Sequence, residues 1–556
     1  MNSPSLVSMF ADRVSSDGNR PALWVKRGAA FAALTWSEVA RDVRRASAAL
    51  VRLGVQPGDR VVQLAENRYE WIVADLAIQF AQAIHVPIHA PLTGEQISVQ
   101  IAHCAPRVVL VSSADQARKL ASCADRLPAD TRYCSYDDCS VVIGDQPVDS
   151  FTTLRDEASA NDGAALEAQA IRELRPDSIA TILYTSGTTG EPKGVMLTQS
   201  NLVSNTEASV AAFDHSADDL RLNFLPLSHI FARTCDLYCW IASGTQLALA
   251  QSRDTVLDDC AAVHPTWLNG VPYFFDKVVR LLHELKRDES PEALREILGG
   301  RIRICCAGGA ALPDAVFDYF TARNVALLQG YGLTESSPVI TLSTPQQVRR
   351  GCVGRTIPGV EVKIAGDGEI LTRGPHVMLG YYKNPAATDE VLRDGWLYTG
   401  DIGELDADGF LRITGRKKEL IVTSGGKNIA PVYLESLLTQ DPLILQALVV
   451  GDARSYLTAL IVPNPDVLHA EIVAHKIFAL TKAQVLRHPR VLALYEERIR
   501  ERLKSVSPFE QVRKFTLLDR GFTIESGELT PKLTLRRKVI EANFAAKIEA
   551  MYRTSD

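Results

Sequence analysis

The densest chemistry in the chain lies in Tyr184-Thr185-Ser186-Gly187-Thr188-Thr189-Gly190-Glu191-Pro192-Lys193-Gly194. Four serine and threonine hydroxyls, three glycines and a lysine fall within these eleven residues. Glycines let backbone N–H groups approach an anion, hydroxyls donate to its oxygens, and Lys193 adds charge, so the segment is composed to cradle phosphate. It follows the apolar run 179–183 and therefore leaves the end of a strand, where ligands of open α/β sheets collect. Most Gly/Ser/Thr clusters are solvated turns between strand and helix, and the residues by themselves allow that reading too. The segment is not a Walker loop: counted from Gly187, that pattern needs glycine at 192, where this chain has proline.

Placing such a loop takes a framework of strands and helices, and the first 400 residues read as one. Residues 60–64 are a short β-branched run, 68–82 have helical periodicity, and 84–88 are apolar again; the cycle recurs at 301–307, 312–323 and 325–329. This alternation predicts an α/β fold with parallel βαβ-type sheets. From about Gly351, short runs such as 360–364 and 369–372 predict a β-rich subdomain. There Asp406-Ala407-Asp408-Gly409 supplies the turn of a hairpin joining 403–405 to 410–414. After Lys418 come a strand at 419–423, a Gly-Gly loop, a helix at 431–440 and a strand at 447–450, which read as a separate small α+β domain. The expected division is 1–416 and 417–556.

Composition narrows the function. At 556 residues the chain is too long for one core, and 46% hydrophobic with 23% charged residues excludes a disordered chain. Sixty basic against 66 acidic side chains leave a net charge of −6, which argues against a nucleic-acid partner. The stretch 71–88 carries Asp75, Gln79, Gln82 and His85 and reads as an amphipathic helix running into a strand, not as a membrane span. The opening MNSPSLVSMFADRV lacks a basic start and reaches Asp12 and Arg13 too early for a signal peptide. A cytoplasmic location is expected, with a peripheral membrane contact and a homodimer left open. Ten cysteines, all at or before Cys352, read as reduced and buried. Cys235 and Cys239 lack a second ligand pair, and Pro87 interrupts His85 and His89, so a structural metal is not expected.

Four segments stand in a recognisable order: YTSGTTGEPKGVMLTQSNL at 184–202, LPLSHIFAR at 225–233, QGYGLTESSP at 329–338, and YTGDIGELDADGFLRITGRKKELIVTSGGKNIAP at 398–431. Together they resemble the adenylate-forming superfamily of acyl-CoA synthetases, peptide-synthetase adenylation domains and luciferases. The form GGKNIAP, with VPYFFDKV at 271–278, is most similar to the long-chain fatty acyl-CoA synthetase branch. The resemblance covers nearly the whole chain. It implies ATP, Mg2+ and coenzyme A as co-substrate, with a fatty acid attacking the α-phosphorus and a thiol then displacing AMP. A fatty acid is already ionised at neutral pH, so the first half needs no general base. It needs cations and oriented dipoles to bring two anions together.

The roles that follow are those the resemblance implies. Thr185, Ser186, Gly187, Thr188, Thr189, Gly190 and Lys193 hold the departing phosphates. Glu335 is a magnesium ligand, with Thr185 beside it, and Thr334 contacts the α-phosphate; a lone carboxylate with phosphate and water oxygens suits this ion. Gln329, Gly330, Tyr331 and Gly332 line the nucleotide, Tyr331 against adenine, and Gly308-Gly309 pass close to the base. Asp401 accepts the ribose hydroxyls and Arg416 faces ribose or phosphate. Lys418 stands at a hinge about which the small C-terminal domain is mobile. Gly425 and Gly426 line the pantetheine channel, where a thin chain passes close to backbone. His229 sits near the reacting carboxylate, although a histidine among Leu, Ile and Phe is more often a satisfied core residue.

One departure stands out. Long-chain members end with a segment of the form LTPTxKxxR, whose lysine bridges acyl carboxylate and phosphate. Here the segment is Leu529-Thr530-Pro531-Lys532-Leu533-Thr534-Leu535-Arg536-Arg537, with threonine at the expected position and a lysine two residues earlier. Residues two apart share a face in an extended segment, so Lys532 is read as the working lysine. Two rivals remain: a fatty acyl-AMP ligase loading an acyl carrier protein, disfavoured because no insertion is evident between Gly351 and Lys418, and a non-catalytic nucleotide- or fatty-acid-binding regulator. Acyl chain length is not written in composition, because an acyl tunnel is assembled from dispersed apolar residues.

Overall fold

The computed structural model describes residues 4–28, 30–186, 192–287, 290, 292–424, 427–477, 481–504, 506–523, 525–529 and 535–553. Strand and helix alternate as the apolar runs do. Arg60–Leu64 and Ile84–Ile88 are parallel neighbours, with Val62 opposite Val86, and the helix Tyr69–Phe80 returns the chain between them. The second cycle, Ile304–Ala307, Asp314–Ala322 and Ala326–Gly332, places Cys305 opposite Leu327, again in parallel.

Among the described residues, two large sheets carry the N-terminal domain. A nine-stranded sheet has Leu220–Asn223, Trp267–Gly270, Ile304–Ala307 and Ala326–Gly332 at its parallel centre. An eight-stranded sheet has Arg60–Leu64 at its own parallel centre. Both are mixed rather than wholly parallel, because antiparallel strands joined by short loops close their edges. The β-rich subdomain is a five-stranded antiparallel sheet. Its hairpin turns where Asp406 Oδ1 accepts the backbone N–H groups of Asp408 and Phe410 at 3.0 and 2.9 Å, and Gly409 takes φ +81°.

The smaller C-terminal domain contains the helix Pro431–Leu438 and a three-stranded sheet of Ile444–Val450, Leu457–Pro463 and Val512–Leu517. It has its own apolar clusters, one around Ile429, Leu434 and Tyr495 and one around Leu448, Ile540 and Met551.

The helix Tyr69–Phe80 is not amphipathic: every residue from Trp71 to Phe80 is buried. Its polar positions are satisfied inside. His85 Nδ1 meets Asp75 Oδ1 at 2.6 Å, Tyr238 donates to Asp75 Oδ2 at 3.1 Å, and Arg233 pairs with the same carboxylate. Burial opposes ionisation there, but the Arg233 charge and the His85 contact hold the Asp75 carboxyl below its ordinary range. Gln79 donates to Ala180 O at 3.1 Å and accepts from Gln199 at 2.7 Å. No helix among the described residues is long and apolar enough to cross a membrane. All ten cysteines are free, and eight of them are buried.

Candidate nucleotide and acyl site

The phosphate-type loop joins two antiparallel strands, Ile179–Ser186 and Pro192–Thr198, with Thr185 opposite Lys193. It is thus a strand-to-strand connection. The helix Gln199–Ala211 begins only after the second strand, where Thr198 Oγ1 accepts the Asn201 N–H at 3.2 Å. Gly187, Thr188, Thr189 and Gly190 lie outside the described residues. Thr185 and Lys193 line a cavity of about 2580 Å³, and the other described positions proposed above, Ser186 apart, line the same cavity.

Glu335 reaches this point through a residue the sequence did not single out. The short strand Gly380–Tyr381 pairs with Pro192–Thr198, Val195 opposite Tyr381. Tyr381 donates its hydroxyl to Glu335 Oε1 at 2.8 Å, and Lys193 Nζ stands 5.0 Å from the centre of its ring. Burial, and then the Glu335 charge, hold the Tyr381 phenol above its ordinary pKa, so it remains a donor. The second oxygen of Glu335 has no partner among the described residues. Nothing in the spacing around Tyr381 could have found it, since the pairing of separated strands creates the contact.

Asp401 anchors the opposite wall. It is 3% exposed, accepts from Tyr331 at 2.8 Å and pairs with Arg416 Nε at 2.9 Å. Burial raises the Asp401 pKa against the pull of Arg416. The ring of Tyr331 packs with Ile340, Val353, Ile370 and Leu411. Lys417 bonds Asp367 and Glu369 at 2.6 and 2.7 Å, and Lys418 follows in the same turn, Lys417–Glu419.

The glycines mark close approaches. A Cβ on Gly308 would meet the Phe231 ring at 3.0 Å, and Gly309 has φ +80°. A Cβ on Gly332 would fall 1.6 Å from Pro338 O, a backbone atom. Gly332→Ala is therefore expected to lower stability by about 1–3 kcal/mol, because the strand must shift to admit the methyl. An unchanged urea midpoint would contradict this. His229 caps the short helix Ile230–Ala232, its Nδ1 accepting the Phe231 N–H at 3.3 Å, which places its ring at the cavity wall. Gly425, Gly426 and Lys532 lie outside the described residues. Leu529 and Leu535, on either side of 530–534, pair antiparallel and line the cavity.

This combination of hydroxyl-rich hairpin, lone carboxylate and buried aspartate paired with an exposed arginine is that of a nucleotide-activating enzyme. The family described as "AMP-binding enzyme" matches residues 10–382, and its "AMP-binding enzyme C-terminal domain" matches 418–556. The chain belongs to the AMP-binding enzyme family. It is 34% identical to the long-chain-fatty-acid–CoA ligase FadD15 of Mycobacterium bovis, over 93% of this chain and 92% of that protein. It is 27% identical to the human long-chain-fatty-acid–CoA ligase ACSBG1, over 98% of this chain and 85% of that one. Among solved structures, ATP-bound MatB from Rhodopseudomonas palustris superposes with a TM-score of 0.76 at 25% identity, covering 98% of this chain and 99% of MatB. The anthranilate CoA ligase AuaEII with anthranoyl-AMP shares the fold, with a TM-score of 0.78 at 20% identity and 98% of each chain covered.

Proposed function

We propose that this enzyme uses ATP to activate a long-chain fatty acid as its acyl-adenylate and then transfers the acyl group to coenzyme A. The observation that carries the reading is one cavity opening on both polar clusters, Glu335–Tyr381–Lys193 and Asp401–Arg416, and on the aromatic side chains Phe224, Phe231 and Phe274. The names of its relatives support the acid and the acceptor. Lys193 and the hydroxyl of Thr185 offset phosphate charge, and Asp401 accepts from the ribose diol while the Arg416 charge opposes the rise that burial gives the carboxyl pKa. Hard oxygen donors fit magnesium: Glu335 and the Thr185 hydroxyl would hold it together with the phosphates. When bound, the ion neutralises charge on the triphosphate. Free cysteines throughout fit a reducing compartment, and the reading places the enzyme in the cytoplasm.

The test is pyrophosphate release from fatty acid and ATP, with and without coenzyme A. A stoichiometric burst without coenzyme A and sustained turnover with it are expected. Sustained turnover only with an acyl carrier protein would make it an acyl-AMP ligase, and no release under any condition would leave a binding protein. A chain-length series read as AMP formation then sizes the tunnel.

We place the boundary between the domains at 416/417, with the C-terminal domain turning about it between the two half-reactions. Gly426 then serves thioesterification alone. Gly426→Leu is expected to form acyl-adenylate near the parent rate and to transfer it to coenzyme A at least tenfold more slowly, because a side chain obstructs the pantetheine path. Equal loss of both half-reactions would make Gly426 a structural residue.

A further inference from the structure

The cavity does not stay apolar along its length. In the central strands of the nine-stranded sheet, Leu222, Leu268 and Cys305 face one apolar cluster, and alternation sends Arg221, Trp267 and Cys306 to the other face, where they line the cavity. Arg221 is 2% exposed. Its guanidinium lies over the Trp267 ring, 4.3 Å from the centroid. It donates to Thr245 Oγ1 and Cys235 O, each at 3.3 Å, and faces His215 Nδ1 at 3.4 Å.

Among the described residues, no carboxylate oxygen lies within 4.0 Å of this cation. Asp236 is in the neighbourhood, but its two oxygens accept from the Asn269 and Asn223 amides at 2.6 and 2.8 Å. Burial, and then the Arg221 charge, push the His215 pKa down to about 4, so the ring is neutral at pH 7. With Nδ1 accepting from Arg221, its hydrogen resides on Nε2, a buried atom near the Val210 backbone but with no hydrogen bond among the described residues. Ser209 Oγ, 6% exposed on the last turns of Gln199–Ala211, likewise has none.

A buried guanidinium without a paired anion and two unmet buried polar atoms are costly in a channel meant only for methylenes. All three residues line the cavity, so acceptor oxygens of a ligand there can meet them, Arg221 at its guanidinium and His215 at the opposite edge of its ring. Arg221 is in register with Trp267, three residues before Gly270, whose partner Ala307 precedes Gly308. At about 3.3 Å per residue this end lies roughly 10 Å back from the strand ends where the nucleotide glycines stand.

We propose that Arg221, with His215 and Ser209, forms an oxygen-recognising end of the acyl channel, so that the preferred acid carries a second oxygen function set back from its reacting carboxyl. This rests on the fatty-acid reading above. The oxygen is a hydroxyl, an oxo group or a second carboxylate, all of which accept from these donors.

The full-length enzyme is assayed for kcat/KM of pyrophosphate release with saturated fatty acids, with positional series of hydroxy and oxo acids of the same length, and with α,ω-dicarboxylates. At least one oxygenated acid is expected to exceed its saturated counterpart by about tenfold, and the arm that does so identifies the group. Arg221→Met should lower that ratio by about tenfold, and the smaller changes His215→Phe and Ser209→Ala should lower it if Arg221→Met does not fold. Saturated acids preferred throughout, or a ratio that none of the variants moves, overturns the proposal and leaves the fatty-acid reading standing. No pyrophosphate with any acid overturns that reading and this proposal with it.

Discussion

Lys532→Ala is expected to slow acyl-adenylate formation several-hundredfold while leaving transfer from preformed acyl-adenylate to coenzyme A nearly intact. Adenylation presses a carboxylate against a triphosphate, and a cation at the point of attack lowers that barrier. Losing one such contact costs about 3–4 kcal/mol. The second half-reaction should be spared, because the proposed turn of the C-terminal domain would by then have carried this segment away. Lys538 and Arg536 lie beyond the family's lysine position and should not substitute. The double change Lys532→Thr with Thr534→Lys restores the usual order and should recover much of the rate. Adenylation by Lys532→Ala as fast as by the parent would show that another residue supplies the cation.

Glu335→Gln is expected to lower adenylation about a hundredfold at limiting magnesium, a loss of about 2.7 kcal/mol in transition-state stabilisation. The change is clean because the amide keeps an acceptor for the Tyr381 hydroxyl, and the Met378 N–H bond to the Glu335 backbone carbonyl, 2.9 Å, is untouched. Only the anionic oxygen is lost. Nucleotide binding measured without metal should change little. Turnover unchanged across a magnesium titration would remove Glu335 from the metal site.

Much of the candidate site could be proposed from sequence because its chemistry is local. The hydroxyls, glycines and lysine of 184–194 are composed for an anion before any fold is known, and the alternation at 60–88 and 301–329 gives strands and helices within a few residues of those observed. The turn at 406–409 was equally plain, since Asp406 folds it with its own side chain. Periodicity failed at Tyr69–Phe80. It records polar residues without their partners, and Asp75 and Gln79 are buried because Arg233, His85, Tyr238 and Gln199 come to meet them.

By itself, then, the sequence determined which local segments turn or run as strand and helix, and which carry groups suited to phosphate, because those properties depend on neighbours a few residues apart. The tertiary structure alone decided that Tyr381 links Lys193 to Glu335, that Asp401 lies between Tyr331 and Arg416, and that Arg221 meets His215 over Trp267 at the cavity wall. Tyr381, Lys193 and Glu335 come from strands and a turn far apart in the chain, brought together by hydrogen-bond register across a sheet. Register follows from which faces bury together across the whole domain, and no local spacing encodes it.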